Sequence, residues 1–275
     1  MNTNIRAGGF SILPPIVKNL LIINGLFFLA KIVLASRDID LDAIFGLHYF
    51  EAPDFRPWQV ITYMFMHGNF SHIFFNMFAL WMFGAAIENI WGGKRFLIYY
   101  LITGIGAALI HYMIVYFQIQ PELALINHFL DNPSLDTYRY LAENNASPGF
   151  QKMFTQNLVV LQQNPSSLNE LIQVTAQAKD DFLNSFVIIG ASGAVFGLLL
   201  AFGMMFPNAE IYVYFLLPIK AKWFVVIYGA LELIFGITGS SDGVAHFAHL
   251  GGMLFGILLI LIWRKQDRNR RFRVY

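Results

Sequence analysis

The chain has 275 residues, 57% of them hydrophobic and 13% charged, with a mean hydropathy of +0.55. This excludes an ordinary soluble domain, which carries more charge and less apolar bulk, and predicts an all-α membrane protein with several spans. A formal net charge of +1 gives no basis for a nucleic-acid partner, and the absence of cysteine excludes a disulfide framework and a thiol nucleophile.

Six apolar segments are expected to cross the bilayer: 16–35, 72–90, 96–117, 184–206, 223–239 and 246–263. Each approaches the roughly 20 residues a spanning helix needs. The first is read as a retained span rather than a signal peptide, because Lys31 interrupts it and five more spans follow. Residues 37–66 are too long for a turn and rich in aromatics, which suits an amphipathic element in the outer interface. The second span opens with His67, His72 and Asn76. His72 and Asn76, four apart, share a helix face and can both donate hydrogen bonds to a developing oxyanion. Glu88, near the inner end of this span, and Glu232, inside the fifth, are expected to be structural acids, with Glu232 placed away from the serine discussed below.

Between 118 and 181 the chain turns polar. Asn145–Gly149 and Asn164–Ser167 read as breaks between helical pieces at 133–144, 150–162 and 167–181. One membrane domain is expected: 1–117 holds three spans and the embedded outer loop, 118–181 is an extracytosolic insertion, and 182–275 holds three spans and a basic tail. Six spans put both termini on one side. That side collects 12 of the 18 basic residues, so both ends are expected to be cytoplasmic, with the protein in the cell (inner) membrane. Ser192 and His249 then fall near the outer ends of the fourth and sixth spans.

Ser192 lies in Gly190-Ala191-Ser192-Gly193-Ala194-Val195-Phe196-Gly197, a stretch that close helix packing alone would explain. The last span opens with Ala245-His246-Phe247-Ala248-His249-Leu250-Gly251-Gly252 and continues to Gly256. Gly193 and Gly197 make one smooth face, and Gly252 and Gly256 another, with His249 three residues before Gly252. If the two faces pack, Ser192 and His249 meet as a nucleophile and its base.

These two stretches resemble the signatures of the rhomboid family of intramembrane serine proteases. The resemblance implies a six-helix bundle and a Ser192–His249 dyad without carboxylate, metal or cofactor. It implies an oxyanion site formed by the Ser192 backbone, His72 and Asn76. Gly190, Gly193, Phe196, Gly252 and Gly256 would be supporting residues, with Phe196 against the His249 ring. Water would reach the serine past His67, Asn69 and His246. The implied partners are the bilayer and membrane proteins with a transmembrane segment. The family often carries Trp-Arg in the embedded loop, where this chain has Trp58-Gln59.

Three other functions fit the sequence less well. A metal enzyme would need His-Glu-x-x-His or a carboxylate beside the histidines at 67, 72, 246 and 249, and neither is evident in the sequence. A transporter would use charges and broken helices at mid-depth. A non-catalytic relative that binds membrane clients would generally lack the serine or the histidine, and both are present. Asp242, in a turn over Gly239–Gly243, is the acid nearest His249 in sequence and is expected to be an exposed loop residue.

Overall fold

A computed structural model describes residues 10–145, 148–163, 167–213, 216–239 and 244–272. Asp242 and most of its turn lie outside the described residues, as do parts of the two expected breaks. Among the described residues, five helices are long and apolar enough to cross a membrane: Pro15–Ala35, Phe70–Trp91, Gly93–Asp131, Ala221–Thr238 and His246–Asp267. Apolar side chains such as Leu26, Leu29, Ile32, Val226, Ile234, Leu254 and Leu258 stand exposed on them. That pattern suits lipid rather than water as the surrounding medium. The chain is an integral multi-pass membrane protein.

One unit comprises Met1–Leu47, Arg56–His111 and Ile188–Tyr275. Helix α1 (Pro15–Ala35) begins with proline, and no side chain of its own caps it. The carboxylate of Glu88 does so from elsewhere, accepting from the amides of Ile16 at 3.0 Å and Val17 at 2.8 Å. Those amides have no intrahelical partner, and the negative charge suits the positive end of the helix dipole. After α2 (Leu41–Phe45), the short α3 (Gln59–Thr62) is tied back by Gln59, which is 1% exposed and donates from Nε2 to the Ile44 carbonyl. The second span consists of α4 (Phe70–Ala79), a π-helical turn at Leu80–Gly84 and α5 (Ala85–Trp91). Helix α6 (Gly93–Asp131) contributes its first half to this unit.

The other unit comprises His48–Phe55 and Tyr112–Val187. The third apolar segment does not stop near 117, because α6 continues through Pro121 to Asp131. An internal proline costs a helix about 3 kcal/mol. Burial of Ile119, Leu123, Ile126 and Phe129 at helical spacing offsets this. Three further helices follow: α7 (Leu135–Asn144), α8 (Pro148–Gln163) and α9 (Leu168–Asn184). Ser134 and Thr137 form a reciprocal capping box at the start of α7. Tyr138, buried between Phe129 and Phe154 in edge-to-face contacts, centres the apolar core here.

The fourth apolar segment is not a single helix across 184–206. Residues Val187–Ile188 are extended, Gly190 takes φ 122°, and α10 runs only from Ser192 to Met205. A side chain at Gly190 would be strained at that φ and would meet the His72 ring. The antiparallel strands Glu210–Val213 and Leu217–Lys220 lead to α11 (Ala221–Thr238) and then α12 (His246–Phe272).

Candidate active site

Ser192 is the first residue of α10, not a residue inside a helix. The first backbone bond of this helix runs from the Val195 N–H to the Ala191 carbonyl at 3.0 Å. The amides of Ser192, Gly193 and Ala194 precede it, at the end of a helix where donors concentrate. Glycine spacing brings α10 and α12 together, though not as two glycine faces alone. A Cβ on Gly252 would overlap the Gly193 carbonyl, so these backbones touch. Gly197 and Gly256 instead meet Thr103 and Tyr99 of α6, and the Tyr99 hydroxyl donates to the Gly197 carbonyl at 2.8 Å.

This packing sets Ser192 Oγ 2.8 Å from His249 Nε2. Phe196, one turn after Ser192, lies parallel to the His249 ring, with centroids 4.1 Å apart and planes 6° apart. The serine is partly exposed and the histidine buried.

Residues 67–69 lead into α4 and set its first turn. The exposed Asn69 side chain caps α4 by accepting from the His72 N–H at 2.8 Å. Lys31 of α1 pairs with Asp42 and donates to the His67 carbonyl at 2.8 Å, which ties this loop to the first span. Burial, the neighbouring His72 and Lys31 push the His67 imidazole down to about 3, so it is neutral at physiological pH. His72 Nδ1 accepts from the Gly68 N–H at 3.4 Å, which leaves the proton on Nε2, the atom lying against Gly190. Asn76 is buried, and its Nδ2 has no hydrogen-bond partner among the described residues. An unsatisfied buried donor costs about 1–3 kcal/mol in the resting protein.

Glu232 does not stand apart from the serine, as the sequence suggests, but beside the histidines. Its Oε2 accepts from His246 Nδ1 at 2.7 Å and lies 2.9 Å from His249 Nδ1, off the line of that ring's N–H. Glu232 is six residues before the end of α11, and His249 is three residues after the start of α12. At 1.5 Å per residue the two sit only about 5 Å apart in depth. His246, expected on a water route, is buried against this carboxylate. Glu232, His246 and His249 place their ligand-type atoms within 4.8 Å of one another. The 2.7 and 2.9 Å separations are hydrogen-bond lengths, whereas two ligands on one tetrahedral zinc ion stand about 3.3 Å apart.

A family model described as Rhomboid domain matches residues 54–118 and 155–266. An uncharacterized mitochondrial rhomboid protein of Schizosaccharomyces pombe is 24% identical over 77% of this chain and 53% of its own length. Rhomboid protease AarA of Providencia stuartii is 32% identical over 36% of this chain and 37% of its own. Rhomboid protease GluP of Bacillus subtilis is 38% identical over 19% of this chain and 10% of its own. The chain thus spans about half the length of the first of these relatives and less of the other two. With both signature stretches inside the matched residues, and with the family model covering more than half of the sequence, the chain belongs to the rhomboid family.

Proposed function

We propose that this protein is an intramembrane serine endopeptidase that cleaves membrane proteins in or beside a transmembrane segment. The observation that carries this reading is the 2.8 Å contact between Ser192 Oγ and His249 Nε2 at the amino end of an apolar helix. Ser192 Oγ attacks the scissile carbonyl carbon while His249 Nε2 takes its proton. The carbonyl oxygen becomes an oxyanion, held by the Ser192 N–H, His72 Nε2–H and Asn76 Nδ2–H. His249 then passes its proton to the leaving amine, the C–N bond breaks, and an acyl-serine remains. Water attacks that ester with His249 again as base, releasing the new carboxylate and restoring Ser192. The Phe196 face limits rotation of the imidazole between these steps.

The purified protein, reconstituted in lipid vesicles with a panel of single-span membrane substrates, is expected to cut at least one within or next to its span. Mass spectrometry of the fragments reads the position. Fragments cut only in water-exposed domains, or none from any substrate, would defeat the reading.

The orientation proposed with it puts both termini in the cytoplasm and residues 118–181 outside, on the strength of the asymmetric basic residues. Reporters fused after Asp136 should then read as extracytosolic, and those at the carboxyl end as cytoplasmic. The opposite pattern would invert the side from which water meets Ser192.

A further inference from the structure

We propose that Glu232, held by His246, is a positioning residue that fixes His249 in the tautomer Ser192 requires. The proposal builds on the Ser192–His249 reading above. It goes beyond a two-residue mechanism by assigning an acid on a separate helix, α11, to the histidine of α12.

Two imidazole Nδ1 atoms converge on one oxygen, Glu232 Oε2, at 2.7 Å from His246 and 2.9 Å from His249. A ring nitrogen with a bare lone pair would be repelled by a carboxylate oxygen at either distance. Both Nδ1 atoms therefore carry their protons. For His249 this leaves the lone pair on Nε2, the atom facing Ser192 Oγ. The opposite tautomer would put a proton between Nε2 and the hydroxyl and leave no acceptor for the serine proton.

A simple tie between α11 and α12 would account for one contact, from His246. It does not account for the second, to the ring that touches the serine. An acid inside a membrane span is costly unless it is partnered. This one is 11% exposed at its side chain and is enclosed by the two rings. The remaining freedom of His249 is limited from its face by Phe196. His246, whose ring also packs near Phe235 at 5.5 Å, holds the carboxylate in place with the better aligned bond. When His249 accepts the serine proton, the carboxylate beside Nδ1 stabilises the imidazolium that forms.

The test combines one variant with one measurement on the unaltered protein. Glu232→Gln keeps the shape and can still accept from His246, but it carries no charge and can present an N–H to His249. It is expected to fold, to lower kcat by about 10²-fold to 10⁴-fold with little change in KM, and to slow fluorophosphonate labelling of Ser192 in step. Unchanged kcat and labelling in a folded Glu232→Gln protein would reduce Glu232 to a helix tie. If that variant does not fold, the ¹⁵N spectrum of histidine-labelled wild-type protein decides. His249, assigned by its absence in His249→Gln, is expected as the Nδ1–H tautomer, and an Nε2–H form would overturn the proposal. Wild-type protein that neither cleaves nor labels would defeat the protease reading instead, while the tautomer measurement would still judge Glu232.

Discussion

Ser192→Ala should reduce cleavage of any substrate found for the wild type to background, a fall on the order of 10⁴-fold or more. It should also abolish labelling by a fluorophosphonate. The alanine methyl fits wherever the serine side chain fits, so the fold and its melting temperature should be unchanged within error. His249→Ala should lose as much turnover, because the hydroxyl then has no acceptor at 2.8 Å. The two losses should not add, since both residues serve one proton transfer. Labelling that persists in Ser192→Ala would place the nucleophile elsewhere. Full cleavage by His249→Ala would mean that another group activates the serine.

Asn76→Ala should cost about 10²-fold to 10³-fold in kcat and leave KM nearly unchanged, the usual penalty for removing one oxyanion donor. Asn76 Nδ2 is buried without a partner among the described residues. Truncation therefore removes an unsatisfied group and should not destabilise the fold through a lost hydrogen bond. The same variant is thus expected to be slower without being less stable. A protein that melts markedly lower and keeps its kcat would make Asn76 a structural residue. His72→Phe should slow the reaction as well, because its Nε2 proton faces the same Gly190 turn.

Membrane residence and the positions of most spans were legible in the sequence. Both follow from apolar runs whose length must match the bilayer, whatever their neighbours do. The candidate pair was legible for a related reason. Glycines four apart mark where helices can approach closely, and Ser192 and His249 sit beside such glycines. The α6 extension past 117 was obscured because Pro121 and scattered polar residues mimic a boundary, while Ile119, Leu123, Ile126 and Phe129 anchor the helix only once a core exists around them. The start of α10 at Ser192 was hidden by uniform apolarity. Hydropathy does not register the φ of 122° at Gly190 that separates an extended strand from the helix and puts the serine amide at its end. Glu88 and Glu232 looked alike, as lone acids in apolar helices. Only tertiary packing decided that one caps α1 and that the other joins two histidines, because the partner of a buried charge is set by which helix lies against it, and one sequence carries no record of that contact.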